Sequence, residues 1–185
     1  PIGGGLWTII FHPELKVAPD AKSWELPGNI TRIPEPCAPR LGCLNNKVVL
    51  DLDIPDNASG VLYEFGANSG GLTLYMDNGV LVYEYNLFII ERTKLRSSQP
   101  LPTGRHKLEV ITQHTDDNPR GAISIKISLD GTQVIEGIVP RVAALLFTAN
   151  DCLDVGQSLG SAVSMDYRER APFKFNGTIH QMNVD

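Results

Sequence analysis

GGLTLYMDNGVLVYEYNLFIIER, residues 70–92, predicts two antiparallel strands joined at Asn78-Gly79, with a third apolar run following directly. Asn-Gly is the preferred pair for a two-residue type I′ turn, because both positions need φ above zero. In the register that this turn sets, one face of the hairpin carries only apolar side chains: Leu72, Leu74, Met76, Leu81, Tyr83 and Tyr85. A slip of one residue would bring Glu84 onto that face. The turn and the hydrophobic pattern therefore predict the same pairing.

The opposite face of this hairpin mixes polar and apolar side chains, namely Thr73, Tyr75, Asp77, Val80, Val82 and Glu84. Tyr75, Val80 and Val82 would form an exposed apolar patch on this face, and such contiguous patches are uncommon on soluble domains. We therefore expect this face to be covered by another sheet or by a partner domain.

Working outward, short apolar segments alternate with turn signals. Further strands are predicted at residues 6–11, near Trp24, and at residues 30–33, 48–54, 60–67, 106–114, 122–139, 145–149 and 173–184. Asp130-Gly131 predicts a second two-residue turn, in a register that leaves Glu136 at the sheet margin. Residues 1–45 read as an irregular lead-in and residues 154–172 as a loop. The pattern predicts one all-β domain over residues 1–185, built from two packed antiparallel sheets.

Composition excludes several classes of protein. A hydrophobic fraction of 42% with 20% charged residues is typical of a folded chain rather than a disordered one. The net charge of −5 argues against nucleic acid as a partner, and no apolar run is long enough to span a bilayer. Because the sequence starts at Pro1, we expect a processed product or an excised piece. A periplasmic or secreted location is favoured, with a cytoplasmic one left open.

Two short motifs invite a catalytic interpretation. Residues 156–160, GQSLG, have the spacing of a nucleophile elbow around Ser158, and Asp166 and His180 follow. The flanking sequence predicts no parallel sheet or helix, so a glycine-rich loop is favoured over a serine hydrolase. Residues 37–40, CAPR, are one residue short of the sulfatase signature that yields formylglycine. We therefore predict that this chain alone is not an enzyme.

Aromatic and acidic side chains are the candidates for ligand binding. Tyr75, Trp24 and Tyr167 are of the type that stacks on sugars. Asp154 and Asp166 supply the oxygen ligands that calcium prefers, so a calcium ion is a further hypothesis. Cys37 and Cys43 lie close enough in sequence for a disulfide in an exported protein, and buried free thiols are the alternative.

Several stretches together resemble the C-terminal region of bacterial arylsulfatases. They are PIGGGLW (1–7), HPE (12–14), GVLY (60–63), GGLTLY (70–75), YEYN (83–86), ER (91–92), LPTGRH (101–106), DVG (154–156) and GS (160–161). The resemblance covers nearly the whole chain. It implies a concanavalin A-like or laminin-G-like jelly roll that follows an α/β catalytic domain.

The resemblance implies a role without catalysis. Formylglycine and the metal of a sulfatase belong to the catalytic domain of the parent sulfuric ester hydrolase, and no residue here matches that motif. The first hypothesis is an accessory domain that packs on a sulfatase catalytic domain, in the same or a separate chain, and shapes substrate access. The alternative is a free-standing, lectin-like module that binds carbohydrate, including sulfated carbohydrate.

Overall fold

Twelve strands, arranged as two six-stranded antiparallel sheets, make up about half of the part of the chain that the structure describes. The structure is a computed structural model, and its description covers residue 11, residues 21–148 and residues 151–185. The strands are β1 (Trp24–Pro27), β2 (Ile33–Pro34), β3 (Asn46–Ile54), β4 (Gly60–Ala67), β5 (Gly70–Asp77), β6 (Val80–Leu87), β7 (Glu91–Arg96), β8 (Gly104–His114), β9 (Ile123–Leu129), β10 (Thr132–Val139), β11 (Cys152–Val155) and β12 (Thr178–Val184).

The two sheets share one apolar core. The first sheet has the order β1-β12-β3-β8-β9-β10 and the second has the order β2-β11-β4-β5-β6-β7. Alternate residues of each strand point inward, so that Leu50 and Leu52 of β3 lie in the same buried cluster as Leu74 and Met76 of β5. The predicted all-β sandwich of two antiparallel sheets is therefore confirmed.

The hairpin of β5 and β6 has the register that its turn and its pattern predict. Met76 pairs with Leu81 and Tyr75 pairs with Val82. The apolar face is buried in the shared core. The third apolar run is different, because residues 88–90 form the turn between β6 and β7 and are exposed.

The outer face of this hairpin is covered by the chain itself. Residues 156–173, here called the strap, lie across it, and their apolar side chains form a second buried cluster with Tyr75 and Val82. The strap includes a 3₁₀ helix at Met165–Arg170. The prediction that this face is covered is therefore confirmed, but the strap covers it, and not a second sheet or a partner domain.

The second predicted hairpin, β9 and β10, contains a β-bulge that its sequence did not reveal. The pairing shifts between Gln133 and Ile135, so that Ile135 enters the core. Glu136 then points to solvent opposite Lys126, with 3.4 Å between their charged atoms. A β-bulge in an edge strand leaves one residue unpaired, and here it thereby turns the apolar side chain that follows toward the core.

Other boundaries also differ from the predictions. Residues 145–148 are not a strand, and β12 begins at Thr178 rather than at residue 173. Strand β11 lies within a stretch read partly as loop, and it pairs with both β2 and β4. The strand expected at residues 6–11 lies outside the described residues except for residue 11.

Two glycines in matching turns allow a direct test of packing at the hairpin tips. Gly79 and Gly131 both have φ of 82°, yet a Cβ at position 79 would lie 2.9 Å from Pro100 Cβ, whereas nothing lies within 4 Å of one at position 131. We expect Gly131→Ala to lower the free energy of unfolding by about 1–2 kcal/mol, from backbone strain alone. Gly79→Ala should lower the free energy of unfolding by roughly 1 kcal/mol more than Gly131→Ala, because its methyl group would also overpack against Pro100. Urea unfolding measures both, and equal losses would contradict the contact with Pro100.

Candidate functional site

A cleft of about 610 Å³ opens at the rim of the sandwich, where the edge of one sheet meets the other. Three separate segments form its walls: residues 27–29 at the end of β1, residues 155–157 at the end of β11, and residues 174–180 at the start of β12. Backbone hydrogen bonds join these segments. The Phe175 N–H donates to the Gly156 carbonyl and the Val155 N–H donates to the Ile30 carbonyl, each at 2.9 Å.

Backbone forms much of the cleft wall, because three of the lining residues are glycines, namely Gly28, Gly156 and Gly177. At Gly28 the approach is closest, since a Cβ there would lie 1.7 Å from the Ile179 carbonyl oxygen. Any side chain at this position would push the two walls apart. Peptide groups can approach a ligand closely where no side chain intervenes.

Five polar side chains line the cleft, and they supply both donors and acceptors: Asn29, Gln157, Lys174, Thr178 and His180. The His180 ring bonds to the Asp53 carboxylate, with 2.7 Å between Nε2 and Oδ2. Lys174 is exposed and makes no ion pair with the described residues. Its ammonium group is therefore the positive charge that remains available to a ligand in the cleft.

Tyr75 and Tyr167, expected as sugar-stacking residues, are both buried. Their rings meet edge to face beneath the strap, with 5.0 Å between centroids, and Tyr167 stacks on Phe173 at 5.3 Å. Neither ring can reach a ligand in this structure, because the strap covers one and contains the other. The assignment of these two side chains as exposed binding residues is wrong.

Trp24, the third aromatic candidate, lies half-buried on edge strand β1, where it pairs with Val184. It packs against the shared core and does not line the cleft. It is separated from the cleft-lining residues by the length of its own short strand. Its role in binding remains a prediction.

Asp154 and Asp166, the two candidate calcium ligands, serve different contacts. The buried Asp154 carboxylate accepts the N–H groups of Arg32 at 2.6 Å and Leu159 at 3.1 Å. Asp166 lies 2.7 Å from Lys94 Nζ, and it accepts from Arg96 and from the Tyr75 hydroxyl.

These partners do not fit a calcium ion. Both carboxylates are already engaged by hydrogen-bond donors, which leaves no shared set of free oxygen ligands. Within residues 21–148 and 151–185, no group of three or more His, Cys, Asp or Glu side chains could hold a metal ion. The predicted calcium site is therefore not formed by these residues.

Ser158 is not arranged as a nucleophile. It is buried, and its hydroxyl donates to Glu64 Oε1 at 2.8 Å. His180 bonds to Asp53 instead, and Asp166 bonds to Tyr75 and the two cations of β7. The three residues therefore do not form a catalytic triad, in which the histidine would contact the serine hydroxyl.

Glu64 is the buried centre of the contact between strap and sheet. Three donors from the strap point at its carboxyl group: the Ser158 hydroxyl, the Val163 N–H at 3.1 Å and the Tyr167 hydroxyl. Burial raises the pKa of Glu64 to about 7, although these donors oppose the shift. The group thus holds the strap on the sheet and titrates near neutral pH.

A second buried acid, Glu84, pairs with the cations of β7, and one of these cations, Arg92, joins β7 to the strap. Glu84 accepts from Arg92 at 2.9 Å and lies 3.3 Å from Lys94 Nζ. Arg92 also donates to the strap carbonyl of Val163 at 2.7 Å and to the Asn68 side chain at 3.1 Å. Buried charges are tolerated when they are paired in this way.

The three cysteines are free thiols, so no disulfide joins Cys37 and Cys43. Cys43 is buried and its Sγ lies 3.3 Å from the Leu145 carbonyl, to which it donates. Burial raises the pKa of this thiol. Such a group is a structural rather than a reactive cysteine.

No helix in the described ranges is both long and apolar enough to cross a bilayer.

No protein-family model matches the chain, and no curated protein matches its sequence. The sulfatase resemblance therefore stays a prediction.

Solved structures match the fold. The laminin α1 chain of mouse, domains LG4-5, has a TM-score of 0.61 at 16% identity, over 92% of this chain. This chain spans 44% of that laminin chain. The CBM40 of a Ruminococcus gnavus IT-sialidase, bound to α2,3-sialyllactose, has a TM-score of 0.55 at 16% identity, over 89% of each chain.

A leech intramolecular trans-sialidase also matches, with a TM-score of 0.54 at 12% identity, over 89% of this chain and 25% of that one. At such low identity these likenesses bear on the fold and not on the ligand. The chain therefore has the fold of a laminin-G-like jelly roll, in which two antiparallel sheets enclose a single apolar core.

Proposed function

We propose that the chain is a carbohydrate-binding module whose ligand occupies the rim cleft. The observation that carries the proposal is the cleft itself, where five hydrogen-bonding side chains surround a wall of glycine backbone. Sugar hydroxyls both donate and accept, so they suit such a mixed set of groups. The CBM40 with this fold, which binds sialyllactose, supports the same reading by analogy.

The proposed ligand carries a negative charge. Lys174 is the available cation of the cleft, and an ammonium group binds carboxylate or sulfate as a point charge. An acidic sugar is therefore favoured over its neutral counterpart. The overall charge of −5 keeps non-specific binding of polyanions weak.

Calorimetric titration tests this proposal with 3′-sialyllactose, a sulfated lactose and neutral lactose. We expect an acidic sugar to bind at least tenfold more tightly than lactose, and Lys174→Ala to weaken that binding roughly 10- to 100-fold, as for the loss of a charged hydrogen bond. Lys126→Ala is the matched control, because it removes an exposed lysine from β9, outside the cleft. Equal effects of the two substitutions, or no heat with any of the sugars, would count against the cleft.

The second proposal is an accessory domain of an arylsulfatase-like enzyme. The chain-long resemblance motivates it. Adding the folded chain to a bacterial arylsulfatase catalytic domain should then change the KM for a bulky sulfate ester while the chain alone hydrolyses none. No change in KM or in melting temperature of that catalytic domain would argue for the binding module instead.

A further inference from the structure

The turn between β6 and β7 has a backbone that its residues do not favour. The Ile90 N–H donates to the Leu87 carbonyl at 2.9 Å, and the two central residues, Phe88 and Ile89, have φ of 52° and 67°. Positive φ at both central positions defines a type I′ turn, which is normally occupied by Asn-Gly or Asp-Gly. A β-branched residue such as Ile89 is a steric outlier in this region.

The same chain uses the favoured residues at its two comparable turns. Asn78-Gly79 has φ of 49° and 82°, and Asp130-Gly131 has φ of 48° and 82°. Only at residues 88–89 of the described hairpins is the same backbone built from two large apolar residues. Strain of this kind persists where the side chains serve a purpose other than folding.

The strained turn belongs to a larger exposed surface, here called the apolar end. Its side chains and their exposed fractions are Phe88 (39%), Ile89 (61%), Ile90 (77%), Leu44 (50%) and Leu145 (67%). The Tyr85 hydroxyl joins the two loops that carry Leu44 and Leu145, since it donates to the Gly42 carbonyl and accepts from the Ala143 N–H. The Cys43 thiol donates to the Leu145 carbonyl, so the segment that carries Leu44 runs beside the segment that carries Leu145.

The size of the apolar end matches a protein interface. Five large apolar side chains with these exposures present roughly 400–500 Å² of apolar surface. A standard interface buries about 800 Å² on each partner, of which a little over half is apolar. A fluid bilayer would accept any conformation of the turn, whereas a rigid, strained turn is useful against a rigid partner.

The charges beside the apolar end complement each other. Arg141 and Glu91 lie next to the turn, with 2.6 Å between Nη2 and Oε2, so this surface carries one cation and one anion. A surface with both signs can pair with its own copy about a two-fold axis. Edge pairing through β7 is disfavoured, because that strand presents Arg92, Lys94 and Arg96.

We propose that the apolar end binds the apolar end of a second copy of this chain, forming a two-fold symmetric dimer flanked by Arg141 and Glu91. The proposal does not depend on the cleft, which is lined by other residues. Two copies joined in this way would present two rim clefts to a polyvalent ligand, which raises avidity.

Sedimentation velocity of the purified chain, between about 1 and 200 µM, tests the dimer. We expect a dimer with a dissociation constant of roughly 10–100 µM. The double variant Phe88→Asn/Ile89→Gly installs the favoured turn pair, so it should raise the melting temperature and weaken dimerisation at least tenfold. Met165→Gln, which removes an exposed apolar side chain from the strap, is the control and should leave the dimer unchanged.

Charge reversal separates a specific interface from general adhesion. Glu91→Arg alone should weaken the dimer, and Glu91→Arg/Arg141→Glu should restore it. A chain that is monomeric at the highest concentration overturns the proposal, as does a dimer that the turn variant leaves intact. Flotation with phosphatidylcholine vesicles that is lost in the turn variant would also overturn it, in favour of a lipid surface.

Discussion

Replacing Tyr167 with alanine is expected to lower the free energy of unfolding by about 3–5 kcal/mol, the range for removal of a buried aromatic side chain. The ring is buried between Tyr75 and Phe173. Its hydroxyl donates to Glu64 and lies 3.0 Å from the Thr73 hydroxyl. The substitution therefore opens a cavity beneath the strap and removes a partner of a buried acid. Urea unfolding followed by tyrosine and tryptophan fluorescence measures the loss.

Two further variants separate these contributions. Tyr167→Phe keeps the ring and removes the hydroxyl, so it should reduce stability by about 1–3 kcal/mol. Met165→Ala changes an exposed neighbour on the strap and should have little effect. If Tyr167→Ala destabilised the chain no more than Met165→Ala, the strap would not be packed on the sheet as described.

The stability of the chain is expected to fall as pH rises from about 4.5 to about 7, because of Glu64. Its pKa is about 7 in the folded chain and 4.5 as the reference value, and burial is the main cause of the rise. Within this window the unfolded chain loses the proton and the folded chain keeps it, so each rise in pH favours unfolding. Over the whole window the loss amounts to about 3 kcal/mol, on the scale of 1.36 kcal/mol for each pKa unit.

Glu64→Gln is the variant that isolates this effect. Glutamine cannot ionise, so the variant should lose most of the pH dependence between about 4.5 and 7. His106 must be considered as well, because its hydrogen bond to Asp130 raises its pKa. The stability that His106 contributes is also lost as pH rises, but this loss begins only above the reference pKa of about 6.5. His106→Gln separates the two groups, and an unchanged pH profile in Glu64→Gln would contradict the buried titrating carboxyl.

The hairpin at residues 70–87 could be predicted in detail because its information is local. Asn78-Gly79 sets the turn, and the alternation around it sets the register that the structure has. The apolar run at residues 88–90 carries no such turn signal. Its residues are typical of a strand, whereas its backbone is a turn with positive φ at Phe88 and Ile89.

The strap could not be predicted because its contacts join residues far apart in sequence. Glu64 accepts hydrogen bonds from Ser158 and Tyr167, which lie about a hundred positions away in sequence. No local pattern in the strap predicts these contacts. The polar letters of residues 156–173 are typical of a solvated loop. Burial of Glu64 and Tyr167 becomes visible only when the sheet and the strap are brought together.

The rim cleft could not be predicted for the same reason, because residues from separate parts of the sequence form it. Its walls come from residues 27–29, 155–157 and 174–180, and each is an ordinary glycine-containing turn in sequence. The glycines were a usable signal, since Gly28 and Gly156 each follow the end of a predicted or observed strand. Their convergence depends on the pairing of β1 with β12, which the sequence pattern alone does not specify.

The most direct test of carbohydrate binding at the cleft is an NMR titration of the ¹⁵N-labelled chain with 3′-sialyllactose and with a sulfated lactose. We expect saturable shifts in the amide signals of Gly28, Gly156 and Gly177 with at least one of these sugars, and unchanged signals for Gly79 and Gly131 at the hairpin turns. Saturable shifts confined to residues outside the cleft, or no shifts with either sugar at millimolar concentration, would contradict it.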